Sequence, residues 1–150
     1  MWRTLTKDEW VYLFYGRTDA AKLFGMGTVN GVKGTILLPD NWTGNKFSDT
    51  ENGLANQGSY YSNSNGTNYS FHSYTEEQWK TVMEPAGAVF LPAGGFRNGT
   101  NVNYVGSYGF FWSAAPYETN TAYYLSFYSE NLKPQNNNNR SRGQSVRLVR

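Results

Sequence analysis

The segment 122–128 carries a pattern of aromatic and hydroxyl side chains that suits recognition chemistry. Successive side chains of a β-strand point to opposite faces of a sheet, so Tyr124, Ser126 and Tyr128 share one face. A rigid tyrosine ring supplies contact area at low entropy cost, and small hydroxyl groups supply adaptable hydrogen bonds. We expect these three side chains to stand outward as part of a binding surface. The alternative interpretation is that the tyrosines only fill a half-buried sheet.

More aromatic residues precede this segment. They are Tyr104, Tyr108, Phe110 and Tyr117, and they lie among glycine, serine and asparagine residues. Large rings anchor protein interfaces and also stack on sugars. The sequence therefore favours a protein or a glycan receptor as the partner.

Residue types that perform catalysis are scarce. The chain has no cysteine and a single histidine, His72, which lies in a polar stretch and so reads as a surface residue. Asp40, Asp49 and Glu51 are acidic, but they lack the paired arrangement that glycoside hydrolysis needs. We expect a non-catalytic protein with no cofactor.

Length and charge bound the remaining possibilities. A chain of 150 residues suits one compact domain, here residues 1–150. The net charge of +2 is too small to indicate a nucleic-acid partner, and no apolar run has the length of a membrane span. The start of the chain has no apolar signal-peptide core, so the chain is either intracellular or virion-borne, or it is the C-terminal module of a longer protein. We expect the module, because residues 2–5 read as the middle of a strand and Thr6 opens a helix at once.

Two capping-box patterns predict two helices. Thr6 with Glu9, and Thr75 with Gln78, each precede apolar residues at helical spacing. The predicted helices cover residues 7–15 and 76–84. A polar stretch over residues 40–74 between them is predicted to be a long loop.

Short apolar runs predict the strands. They lie at residues 35–38, 87–92, 110–114, 122–128 and 145–149. The residues expected to form a scaffold beneath any binding surface are Trp10, Trp79, Trp112, Leu125, Phe127, Val146 and Leu148.

Four separated motifs, in this order, carry a family resemblance. They are Trp-Arg-Thr-Leu-Thr-Lys-Asp-Glu-Trp at 2–10, Leu-Pro-Ala-Gly-Gly-Phe-Arg at 91–97, Phe-Trp-Ser at 111–113 and Gly-Gln-Ser-Val-Arg-Leu-Val at 143–149. With the element order, they resemble the C-type lectin-like fold. More closely, the chain is similar to the major paralogous surface domains of Bacteroidales and Fibrobacter and to the variable proteins of diversity-generating retroelements, the group that includes the phage major tropism determinant.

The resemblance implies an α+β, C-type lectin-like fold with two helices, small antiparallel sheets and long loops. It also implies that template adenines are mutated, so that asparagine codons scatter into codons for tyrosine, serine, threonine and similar residues. The variable region would cover about residues 101–142, with Asn136 to Asn139 as template positions or a loop. The implied ligand-binding residues are Tyr104, Tyr108, Phe110, Tyr117, Thr121, Tyr124, Ser126, Tyr128 and Ser141.

Three charged residues in this region do not fit that scheme. Glu118, Glu130 and Lys133 cannot arise from an asparagine codon by adenine changes alone, so each is either constant or derived from a different template codon. The calcium-binding lectin signatures are absent as well, and residues 38–42 have some of the residue types in the wrong order, so we expect no metal ligands.

The resemblance places the protein on a bacterial cell surface or a phage virion. Diversification is a property of the locus, so a second interpretation stays open. In that interpretation the chain is an undiversified adhesin module that binds a fixed glycan or protein.

Overall fold

A computed structural model describes residues 1–47, 54–58, 60–62 and 69–150. The architecture is α+β, with two short helices and many short strands in small, open sheets. Among the described helices, none combines the length and the apolar character needed to cross a bilayer.

Both helices precede the long run of C-terminal strands. Helix α1 consists of an α-helical part, Lys7–Val11, followed by π-helical turns, Tyr12–Gly16. Helix α2 likewise consists of Glu76–Gln78 followed by π-helical turns, Trp79–Met83. Both capping boxes form as predicted, since Thr6 and Thr75 each accept a hydrogen bond from the backbone three residues on. The predicted helices are confirmed, with α2 ending one residue early.

In the described part of the chain, thirteen strands accompany the helices. They are β1 (Arg3–Thr4), β2 (Phe24–Val29), β3 (Val32–Leu37), β4 (Ala55–Asn56), β5 (Tyr61–Ser62), β6 (His72–Tyr74), β7 (Val89–Pro92), β8 (Phe96–Asn98), β9 (Asn101–Asn103), β10 (Gly109–Glu118), β11 (Thr121–Tyr128), β12 (Asn131–Asn139) and β13 (Leu148–Val149). A single-turn 3-10 helix, Ala20–Lys22, precedes β2.

The strands form two larger sheets and two pairs. A four-stranded sheet has the order β6-β2-β3-β7, and a five-stranded sheet has the order β10-β11-β12-β5-β4. The remaining pairs are β1 with β13 and β8 with β9. The sheets are small and their strand pairs are antiparallel, as expected, except that β2 and β6 pair in parallel.

The predicted long loop and the predicted strands need correction. The described part of 40–74 contains β4, β5 and β6, while residues 48–53, 59 and 63–68 of that stretch lie outside the described residues. The strand predicted at 145–149 is limited to β13. Asn136 to Asn139 belong to β12 rather than to a loop.

Two clusters of buried side chains hold the fold together. In the larger one, Trp10 and Phe14 of α1 pack among residues of both sheets, including Leu125 and Phe127 of β11. In the smaller cluster, Trp79 and Met83 of α2 pack with residues of the four-stranded sheet, such as Ile36. Helix α1 therefore joins the two sheets.

The scaffold prediction is right for part of its set. Trp10, Trp79, Leu125 and Phe127 are buried as expected. Val146 and Leu148 are instead 51% and 52% exposed, because only two residues of the C-terminal segment enter a strand and that strand pairs with short β1. Trp112 lies outside both clusters.

Candidate binding surface

Strands β10 and β11 separate two faces of the five-stranded sheet. The register pairs Phe111 with Leu125, and both side chains lie in the large core cluster. The alternate positions pair Phe110 with Ser126 and Trp112 with Tyr124. These alternate residues point away from α1 because neighbouring side chains of a strand take opposite faces.

Seven rings lie on this outer face or at its edge and form a continuous set of contacts, which we call the aromatic surface. It consists of Phe96, Tyr104, Tyr108, Phe110, Trp112, Tyr124 and Tyr128. Tyr108 is its centre, with ring centroids 4.5 Å from Tyr104, 4.8 Å from Tyr128 and 5.9 Å from Phe110. The Tyr108 and Tyr128 rings are stacked.

The hairpin and turn before β10 carry the first rings to this surface. Gly95 has a φ of 67°, and a Cβ there would lie 2.1 Å from the carbonyl oxygen of Asn103. This close approach needs glycine, and it allows β8 to bring Phe96 to within 5.2 Å of Phe110, centroid to centroid.

A depression of about 230 Å³ opens in the aromatic surface. Four aromatic rings form one part of its lining. A serine hydroxyl, two asparagine amides and a lysine ammonium form the rest. The lining residues are Tyr108, Phe110, Tyr124, Ser126, Tyr128, Asn131, Lys133 and Asn136. The Asn136 amide donates to Ser126 Oγ at 3.2 Å, so the polar side is partly preorganised.

We expected Tyr124, Ser126 and Tyr128 to stand outward, and this was wrong for the first two. Tyr124 is only 5% exposed and Ser126 is buried, because cross-strand neighbours cover the middle of the outer face. Tyr124 contacts Phe110 and Trp112, and its loss of solvation raises the pKa of its hydroxyl. Phe110 is buried too.

The accessible part of the surface is its tyrosine-rich edge. Tyr104 is 54% exposed, and Tyr108 and Tyr128 are partly exposed. The pKa of Tyr128 is raised, first by desolvation and then by the neighbouring Tyr108 and Glu130. A ligand would therefore meet Tyr104, Tyr108 and Tyr128 first.

The structure does not bring the remaining predicted residues to this depression. Tyr117 packs edge-on against Tyr123, which lies on the opposite face of the sheet. The ammonium of Lys7 lies over the Tyr123 ring. Thr121 accepts a hydrogen bond from the backbone of Glu118 near the far end of the β10–β11 hairpin. Ser141 lines a separate shallow cleft there, with Asn139 and Arg140. The predicted single face is thus divided.

Sequence reasoning missed several residues of the surface. Phe96 lies in a hairpin that was not predicted, Trp112 was assigned to the scaffold, and Asn131 lies just before the asparagine run. Lys133, which falls outside the diversification scheme, nonetheless lines the depression. Period-two alternation extended along β12 would have placed Asn131 and Lys133 on one face.

A second cavity lies on another side of the molecule. It has a volume of about 340 Å³ and a mainly apolar lining that includes Trp10, Leu13, Leu91 and Leu148. Arg17 is at its wall, but this guanidinium is engaged with the carbonyl oxygens of Leu13, Leu23 and Leu38 and with Asp40.

Groups that bind metal ions do not cluster in the described part of the chain. There, no three His, Asp or Glu side chains lie close enough together to hold an ion. His72 packs its ring against Phe47, with centroids 4.2 Å apart.

Comparison with known proteins gives a family. Neither a curated protein nor a solved structure matches the chain. Residues 56–149, which cover more than half of the chain and include the whole aromatic surface, match the family described as a domain of unknown function, DUF8237. The chain therefore belongs to the DUF8237 family.

Proposed function

We propose that this chain is a non-catalytic module that binds a protein or glycan receptor on the aromatic surface. The observation that carries the proposal is the depression beside Tyr108 and Tyr128, which lies on the sheet face turned away from the core. Stacked rings beside amide and hydroxyl groups provide both contact area and directional hydrogen bonds.

The division of labour between the two sheet faces supports the proposal. The core cluster contains Leu125 and Phe127 but none of the accessible tyrosines Tyr104, Tyr108 and Tyr128. Side chains that bind a ligand can vary or move without loss of the fold only if the core does not depend on them. The exposed tyrosines meet that condition.

We further propose that the chain has a C-type lectin-like fold and that it is a variable protein of a diversity-generating retroelement. The element order supports the fold: strand, helix, strands, helix and then antiparallel strands. The location of the accessible tyrosines within residues 101–142 supports diversification. On this proposal the protein acts at a bacterial cell surface or on a phage virion.

A specific observation favours the alternative, an undiversified adhesin module with one fixed partner. Phe110, Tyr124 and Ser126 are buried, and a buried position tolerates random replacement poorly. Sequencing the locus separates the two. A reverse transcriptase gene and a near-repeat of the segment encoding residues 110–150, differing only at adenines, would establish diversification, whereas a locus lacking both would leave the adhesin.

Binding to glycan and cell-surface protein arrays tests the proposed site. We expect the double variant Tyr108→Ser/Tyr128→Ser to lose the binding of the natural chain while its melting temperature changes little. The matched control is Tyr12→Ser/Phe71→Ser, which also removes two exposed rings, but outside the aromatic surface. Equal binding by all three proteins would rule out the aromatic surface as the site.

A further inference from the structure

Two cations flank the aromatic surface, each held over a ring. The ammonium of Lys133 lies 5.2 Å from the centroid of Tyr60, and the guanidinium of Arg142 lies 4.8 Å from that of Phe96. A cation over a ring is attracted by the negative face of the ring, so these contacts restrict where both charges sit.

Neither cation has a carboxylate partner among the residues that the structure describes. The ion pairs found there involve Lys7, Lys46, Lys80, Arg3 and Arg17 instead. Lys133 lines the depression directly. Arg142 lies over Phe96, whose ring contacts the lining residue Phe110. The aromatic surface thus carries two positive charges that form no ion pair with any carboxylate in the described part of the chain.

One acidic residue, in the turn between β11 and β12, acts on the lining residue Tyr128. Glu130 is close enough to Tyr128 to raise the pKa of its hydroxyl. An anionic group of a ligand would be repelled there and attracted at Lys133 and Arg142. The charges therefore favour one orientation of the ligand as well as one sign of charge.

The size and lining of the depression favour a sugar over a protein ligand of the same charge. At about 230 Å³, it is smaller than the clefts of roughly 300–1,000 Å³ that enclose drug-sized molecules. Flat rings of Tyr108 and Tyr128 suit the apolar face of a pyranose. The Asn136 amide donates to Ser126 Oγ and accepts from the backbone N–H of Asn137, which leaves one N–H and one oxygen lone pair for the hydroxyl groups of a sugar.

We infer that the ligand is an acidic glycan, with a sugar ring on the tyrosines and an anionic group directed to Lys133 and Arg142. This inference rests on the proposed function of the aromatic surface and narrows the class of its ligand. It assigns a role to Lys133 and Arg142 as determinants of specificity.

The test measures binding of the chain to immobilised alginate, polygalacturonate and chondroitin sulfate. The matched ligands are the carboxyl-reduced forms of the first two and the desulfated, carboxyl-reduced form of the third, which keep the sugar backbone and lose all of its negative charge. We expect binding to at least one acidic polymer, loss of that binding on neutralisation, and weaker binding at higher salt.

Variants separate the inference from the proposed function. Lys133→Gln and Arg142→Gln should each weaken binding about tenfold or more, as expected for a lost charge-assisted hydrogen bond. The control Lys22→Gln/Lys80→Gln removes two positive charges elsewhere and should bind like the natural chain. Full binding by Tyr108→Ser/Tyr128→Ser would overturn the proposed function and the inference with it.

Other outcomes overturn the inference alone. If binding is lost in the tyrosine variant but is unchanged in Lys133→Gln and Arg142→Gln, the ligand is not recognised by its charge. Binding that is confined to neutral glycans or to a protein, and that still needs the tyrosines, would likewise reject an acidic glycan and keep the surface as the site.

Discussion

At the residue scale, Tyr124 and Tyr128 show how position within a strand decides the role of a side chain. Both lie on the outer face of β11, where strand alternation placed them correctly. Tyr124 is in the middle of the sheet and is covered by Phe110 and Trp112, whereas Tyr128 ends the strand beside the turn to β12. Alternation predicts the face of a residue but not what lies over that face.

This difference should appear in stability. Replacing Tyr124 by Ser removes a buried ring and should lower the free energy of unfolding by roughly 2 to 4 kcal/mol. Replacing Tyr128 by Ser should change it by about 1 kcal/mol or less, since this ring is partly exposed. Urea denaturation of both variants measures the difference. Equal losses would show that the two tyrosines are buried alike.

Glu9 is a second case at this scale. Its carboxylate accepts hydrogen bonds from Arg3 and from the backbone of Thr6, and these contacts lower the pKa of Glu9 from 4.5 to about 2. Because folding lowers this pKa, the stabilisation is complete above pH 4.5 and is lost as the pH falls toward 2.

Thermal melts between pH 6 and pH 2 test this linkage. We expect Glu9→Gln to unfold at a lower temperature than the natural chain at pH 6 and to approach it at pH 2. The effect should be modest, because the pair is exposed to solvent. The control Glu77→Gln removes a carboxylate that forms no ion pair among the described residues. A Glu9→Gln difference that does not depend on pH would contradict the assignment.

At the element scale, local signals predicted both helices, and the missed strands fall into two groups. The hairpin of β2 and β3 had a readable signal, since Asn30-Gly31 adopts φ values of 51° and 76°, as expected for a tight hairpin turn. Strand β12 had no such signal, because an asparagine run reads as a loop. It is a strand through its pairing with β11, a long-range contact that local propensity does not contain.

The close approach of β10 to the core gives a prediction at the same scale. A Cβ on Gly109 would lie 2.0 Å from the ring of Phe127, which is fully buried. We expect Gly109→Ala to destabilise the chain by about 1 to 3 kcal/mol through overpacking. Gly94→Ala is the control, since its nearest neighbour is Ser145 Oγ at 3.3 Å. Similar denaturation midpoints for the two variants would show that β10 can move off Phe127.

At the scale of the whole molecule, α1 and the two sheets form one core cluster, and the aromatic surface lies outside it. The order of the predicted elements and the family resemblance predicted the α+β class of fold, and composition with strand alternation predicted an aromatic surface. It did not predict that Tyr117 would face away or that Ser141 would lie in another cleft, because those positions depend on the bulged pairing of β10 and on the path of the chain after β12.

Hydroxyl-radical footprinting shows where on the whole molecule the ligand binds. The natural chain is footprinted alone and in complex with a partner found on the glycan or protein arrays. We expect the partner to protect Tyr104, Tyr108 and Tyr128 from oxidation and to leave Trp2 and Tyr12 as reactive as in the free protein. If the partner instead protects Trp2, and Leu148 at the apolar cavity, with no change at the three tyrosines, the ligand does not bind on the aromatic surface.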